Sequence, residues 1–192
     1  MSVSTNASDN SIEVPEANEV IRAIEGRRSV RAYRPDPIPE DLVRRVIDAG
    51  IWAPSGMNRQ SAIVLAVTDR RLRDRLAEAN RKVMGAPEGT DPFYGAPVVL
   101  AVLADASVPT HVEDGALALG NMMLAASALG LGSCWIHRAR EVFGTPEFKG
   151  ALADMGIDAE RYVGVGHCIL GYPDGPLPEP HPRSQGRVFW AR

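Results

Sequence analysis

The densest local charge in the chain is Arg27-Arg28-Ser29-Val30-Arg31, with Arg34 close behind and no acid between Glu25 and Asp36. Guanidinium groups this close repel one another unless an anion sits among them, and their planar donor forks match phosphate oxygens. Alternatively they form a solvated basic helix end, which the helix dipole favours. A second candidate is Ala53-Pro54-Ser55-Gly56-Met57-Asn58-Arg59-Gln60, a tight polar connection. It either brings backbone donors and an amide against the edge of a flat heterocycle or is an ordinary turn. His167, between Gly166 and Cys168 in an apolar run, reads as a hydrogen-bonded core histidine rather than a base, and His111 as a surface residue. Cys134 and Cys168 lack the spacing of a zinc site or a redox pair and read as buried thiols. No Ser-His-Asp order, paired-carboxylate motif or metal spacing stands out, so any chemistry is expected to belong to a cofactor.

The elements that position these groups follow from periodicity. Val20, Ile21 and Ile24 recur on one helical face between Glu16 and Arg27. Pro35, Pro37 and Pro39 stop that helix, and Pro39 suits the first turn of a second, striped by Leu42, Val43, Val46 and Ile47. Buried strands are expected over 62–68, 98–103, 132–136 and 162–172. A charged helix carrying Leu72, Leu76 and Val83 follows the first, and a long central helix, 111–129, follows the second. Thr145-Pro146 fits a helix cap and first-turn pair within 140–155. Arg187-Val188-Phe189-Trp190 reads as a terminal strand-like segment. Strands and helices mix without strict alternation, which points to a layered α+β domain.

Length and composition bound the answer. A chain of 192 residues with 45% apolar content encloses one substantial core. The expected division is a polar leader over residues 1–15 and a single domain over 16–192. A net charge of −3 with both signs interspersed gives no field to hold a polyanion, so nucleic acid is not an expected partner. The longest apolar stretch, 115–132, is interrupted by Asn121 and Ser127 and reads as a core helix rather than a membrane span. No secretory pattern opens the chain, and a cytoplasmic location is expected.

Arg-Arg-Ser-x-Arg followed some two dozen residues later by Pro-Ser-Gly-x-Asn-x-Gln resembles the opening of the FMN-dependent nitroreductase family. Later segments extend the likeness: Asp91-Pro-Phe-Tyr-Gly-Ala-Pro, Asp114-Gly to Asn121, Gly130-Leu-Gly-Ser-Cys-Trp-Ile-His-Arg, and Gly164-Val-Gly-His-Cys-Ile-Leu-Gly-Tyr. The resemblance implies a nitroreductase-like α+β fold: a central, mostly antiparallel sheet flanked by helices, in a homodimer with C-terminal exchange. It implies FMN as cofactor, with Arg27, Arg28, Ser29 and Arg31 on its phosphate and ribityl chain. Pro54, Ser55, Gly56 and Asn58 would meet the flavin ring, usually from the other subunit. Trp135, Ile136, His137 and Arg138 would lie beside the reactive edge, and Arg183 would return to the phosphate. Two positions depart from the family pattern: His181 stands where a lysine is common, and His137 where the best-known members carry an acid.

The activity implied is hydride transfer from NADH or NADPH to flavin N5, then reduction of a small electron-poor acceptor such as a nitroaromatic or quinone, by a ping-pong mechanism. Alternatives are a specialised member of the fold, either a reductive dehalogenase or an enzyme that fragments FMN, and a non-catalytic FMN-binding protein. Lys82, Glu88 and Tyr94 are of the types a dehalogenase lid uses, but their short Gly- and Pro-rich loop does not match that lid's pattern.

Overall fold

A computed structural model describes residues 18–192; the expected leader lies outside the described residues. The first helix, α1 (Glu19–Gly26), starts at Asn18, whose side-chain oxygen accepts the Ile21 amide at 3.1 Å. The proline run then forces extended chain up to α2 (Glu40–Ile51), which begins directly after Pro39. Next come β1 (Ala62–Val67), α3 (Arg70–Met84), β2 (Val98–Asp105) and the long α4 (His111–Ala128). The chain continues through β3 (Gly132–Ile136), α5 (Ala139–Phe143), α6 (Pro146–Asp154) and β4 (Tyr162–Gly171). Thr145 caps α6 with Pro146 in its first turn, as its residue types predict.

The four strands form one sheet in the order β1-β2-β4-β3, every neighbouring pair antiparallel. β2 is buried along its whole length because both faces are covered. Its Val99, Ala101 and Leu103 join a core with α3, α5 and α6, including Leu76, Phe143, Phe148 and Leu152. Its Val98, Leu100, Val102 and Ala104 join a second core with α2 and α4, including Val46, Leu119 and Met122. The period-2 alternation of side chains thus produces a three-layer sandwich from one apolar run. Between Val102 and Leu103 the β2–β4 register slips by one residue, leaving Val165 as a bulge.

Two expectations have a different outcome. The face of α1 bearing Val20, Ile21 and Ile24 forms as predicted, yet no residue of this helix is buried. Residues 174–192 form neither helix nor strand, and Val188, Phe189 and Trp190 are exposed. A terminal strand needs an edge to pair with, and within the described residues none receives this segment. No helix among the described residues is long and apolar enough to cross a membrane.

The start of α5 rests directly on β4. A Cβ added at Gly164 would lie 2.3 Å from the Ala139 carbonyl oxygen and 2.4 Å from its carbon, both backbone atoms that have little room to retreat. Gly164→Ala is therefore expected to destabilise the protein by about 3 kcal/mol through overpacking. A urea midpoint unchanged from that of the parent would contradict the contact.

Candidate functional site

Residues 27–31 leave α1 in extended form and lie along β3. Ser29 bridges Ser133 in the parallel sense, the Val30 amide donates to the Ser133 carbonyl at 2.9 Å, and the Tyr33 hydroxyl donates back to the Val30 carbonyl at 2.7 Å. Burial raises the Tyr33 pKa well above the ordinary phenol value, so the hydroxyl stays a donor. This seating divides the arginines. Arg28 turns back and donates to the Glu25 and Arg27 carbonyls at 2.6 and 2.9 Å, satisfying the end of α1. Arg27 instead carries a buried Nη1 with no hydrogen-bond partner among the described residues. Of the two readings of the cluster, the helix-end role fits Arg28, and the anion-seeking role fits Arg27.

Arg31 lines a cavity of about 280 Å³ at the end of β3, together with Tyr94, Trp135, Ile136, His137 and Arg138. The four residues expected beside a flavin edge are therefore one contiguous wall. Beneath it His167, fully buried, lies within 3.2 Å of the Ile136 carbonyl through Nδ1, its ring flanked by Phe93 and Phe143. Burial pushes its pKa down to about 4. At neutral pH the ring is uncharged and donates Nδ1–H to that carbonyl, the core role its sequence context predicts. Burial also pushes the Cys168 thiol up to about 12, and both cysteines are buried and free. Cys168 is therefore an inert thiol.

The segment that brings Tyr94 to the cavity is organised by Asp91, which also lines it. Its carboxylate accepts the Phe93 and Gly95 amides at 2.9 and 2.8 Å and pairs with the largely buried Arg73, whose Nε reaches the Ala96 carbonyl at 3.1 Å. The turn so pinned holds Tyr94 in the left-handed region, φ 54°.

The loop 54–60 is built on another buried acid. Asp114 of α4 accepts the Gly56 amide at 2.9 Å and the Ser61 hydroxyl at 2.6 Å. The Ser55 hydroxyl oxygen accepts the Gln60 amide at 3.0 Å, and Asn58 Oδ1 accepts from Gln60 Nε2 at 3.3 Å. Gly56 is required: a Cβ there would lie 2.2 Å from the Thr110 hydroxyl. Pro54 and Ser55 border a cavity of about 230 Å³ with Asp114 and Gln60, while Asn58 is exposed. Asp91 and Asp114 open two of the segments that carry the family resemblance, but no role is assigned to either from the sequence. The signal available was an acid placed among apolar and turn residues, where only a network of donors makes it tolerable.

These half-sites do not meet within one chain. The loop precedes β1 and the 135–138 wall is the end of β3 with the two residues after it, and these strands are the two outer edges of the sheet, about 14 Å apart at ordinary strand spacing. Arg183 is exposed in the tail and makes no hydrogen bond or ion pair with a described residue; His181 is exposed nearby. Neither joins the Arg27 group in the single chain.

A profile of the nitroreductase family matches residues 24–172. This chain belongs to the nitroreductase family. Among its relatives, a putative NADH dehydrogenase/NAD(P)H nitroreductase of Methanothermobacter thermautotrophicus is 30% identical over 158 residues, covering 74% of this chain and 79% of the relative. An iodotyrosine deiodinase of Thermotoga neapolitana is 32% identical over 178 residues, covering 83% and 90%. The crystal structure of a nitroreductase with bound FMN from Bacteroides fragilis superposes with a TM-score of 0.82 at 30% identity, covering 92% of this chain and all of that one. The nitroreductase fold expected from the motifs is the fold observed.

Asp114 gives this family member a pH signature. Burial raises its pKa, but the hydrogen bonds from Ser61, Gly56 and Thr110 outweigh that and hold it below the ordinary carboxylate value. The stabilisation is therefore complete above pH ~4, the pKa of an unfolded aspartate, and is lost as pH falls through the lower folded value. Asp114→Asn should be about 2 kcal/mol less stable at neutral pH, and the gap to the parent should close in acid. Urea midpoints measured for both from pH 7 to pH 3 check this; a gap independent of pH would show the charge to be irrelevant.

Proposed function

We propose that this nitroreductase-family chain is an FMN-dependent oxidoreductase that draws on NADH or NADPH and reduces small electron-poor acceptors, nitroaromatics and quinones among them, by a ping-pong mechanism. The observation that carries the reading is Arg27: a guanidinium with a buried nitrogen that has no partner among the described residues, which a phosphate oxygen completes with a charge-assisted hydrogen bond. The names of the relatives, which include an FMN reductase of Bacillus subtilis and an NADPH-flavin oxidoreductase of Vibrio harveyi, support it.

The chain's residues then have separate tasks. Arg27 and Ser29 hold the phosphate, with Arg31 beside the cofactor and Arg183 brought in from the tail. The end of β3, kept in register by the His167 donation to Ile136, presents the backbone of Ile136 and His137 to the flavin edge. The loop bearing Pro54, Ser55, Gly56 and Asn58 covers the ring of a second copy's cofactor, because its own chain puts it at the far sheet edge. A homodimer with two equivalent sites follows, and it gives the exposed apolar face of α1 and the Val188-Phe189-Trp190 tail something to bury against. Bound there, FMN supplies two-electron transfer, for a nitroaromatic Ar–NO₂ + NAD(P)H + H⁺ → Ar–NO + NAD(P)⁺ + H₂O. A reducing cytoplasm suits the two free thiols.

Purified protein should be yellow and sediment as a dimer, and NADH or NADPH should bleach it until a quinone or nitroarene restores the colour. A flavin that neither nucleotide bleaches would make this a binding protein, and halide release from iodotyrosine would place it with the deiodinase relative. Steady-state lines should run parallel; intersecting lines contradict ping-pong turnover. Arg27→Ala should weaken FMN binding roughly 10- to 100-fold, the effect of one charged hydrogen bond, read as flavin absorbance per protein after dialysis. Full retention of colour would remove the phosphate assignment.

A further inference from the structure

Arg138 is a second cation that a cofactor phosphate on Arg27 leaves unanswered. Its Nε is buried and has no hydrogen-bond partner among the described residues. Together with Arg31 it lines the cavity at the end of β3, and neither makes an ion pair with a described residue. The acid that also lines this cavity, Asp91, is already engaged by the Phe93 and Gly95 amides and by Arg73. The cavity therefore presents two guanidinium groups and no free carboxylate.

The register of the chain separates this pair from the phosphate site. Ser29 lies opposite Ser133 in the parallel sense, so Arg27 enters near the start of β3, Arg31 lies alongside Trp135, and Arg138 follows the end of the strand. Arg27 does not line the cavity. Moreover, Arg138 holds a left-handed backbone, φ 74°, at the N-cap of α5. Glycine would adopt that conformation without strain, so a long cationic side chain stands there against local preference, directly after His137.

We propose that this cavity is an anion-selecting acceptor subsite, in which Arg138, aided by Arg31, takes the carboxylate of an electron-poor aromatic acid and directs its reducible group to the flavin edge. The proposal rests on the flavin reductase reading above and names its substrate class. A planar guanidinium receives a carboxylate through two parallel hydrogen bonds, which fixes orientation as well as charge. For a nitroaromatic acid the reaction remains the balanced two-electron step already written, with NAD(P)H as reductant and water as the second product.

The test compares 4-nitrobenzoate with its neutral near-isostere 4-nitrobenzamide on the yellow protein, alongside equilibrium dialysis of unsubstituted benzoate. The parent should favour the carboxylate about tenfold or more in kcat/KM at low salt, with the preference shrinking as ionic strength rises. Arg138→Gln should cut that ratio at least tenfold and abolish benzoate binding. Equal kcat/KM for the two compounds, or a ratio that Arg138→Gln leaves unchanged, overturns the subsite. Loss of FMN from Arg138→Gln, with no benzoate bound by the parent, assigns the guanidinium to the cofactor and also overturns it. If neither nitro compound is turned over while benzoate still binds, the anion site stands and the reductase reading falls.

Discussion

The structure turns on one guanidinium nitrogen, Arg27 Nη1, withdrawn from water without a hydrogen-bond partner among the described residues. Burying an unpaired cation is costly, and proteins accept it where a partner completes the site. Here the withdrawal is caused by ordinary backbone chemistry: the Ser29–Ser133 bridge and the Val30 amide seat residues 27–31 on β3, and Tyr33 fastens the turn that follows. Arg27 is desolvated because its neighbours pair, and Arg28, one residue on, is free to satisfy the end of α1. Adjacent residues of one type thus acquire different work from the direction in which an extended segment points them.

The same geometry explains why one chain does not finish a site by itself. A sheet covered on both faces leaves its edges and strand ends for ligands, and the strand order puts the two conspicuous polar segments on opposite edges. Cores on both faces fill the interior, so no central cleft remains in which a planar cofactor could be enclosed. On the proposed reading, a second copy would answer both problems, enclosing the ring and covering α1 and the tail.

Much of this was legible in the residues, and the reasons are physical. β3 matched its expected bounds because Gly and the following loop residues delimit a short apolar run. β2 extended to Asp105, two residues past Leu103, because Asp105 is held by Ser107 and Arg161 and can remain in the sheet. The core reading of His167 followed from its apolar flanks. The division of labour between Arg27 and Arg28 was not legible, since it depends on a parallel contact more than a hundred residues distant in the chain. Nor were the two carboxylate hubs. Asp114 serves Gly56 from 58 residues away, and no local pattern announces such a pairing. The tail reads as strand-like because its apolar residues carry the propensity, yet no described residue offers it an edge to pair with.

Among the described residues, the non-glycine positions with positive φ are Met57, Asn58, Gln60, Tyr94 and Arg138. All five lie in the two half-sites, none in the layers that support them. Each such residue carries on the order of 1–3 kcal/mol of backbone strain, which persists only where surrounding contacts over-determine the conformation. Those contacts are present: Asp114 and Ser55 fix the first three, and Asp91 with Arg73 fixes Tyr94. For Arg138 the constraint is the close approach of α5 to Gly164 on β4. The buried carboxylate networks of Asp91 and Asp114 are therefore placed where strain must be contained, and the strain lies in the segments of the proposed site. Local rules of propensity hold through the sandwich and break in the segments that the proposed site would draw on.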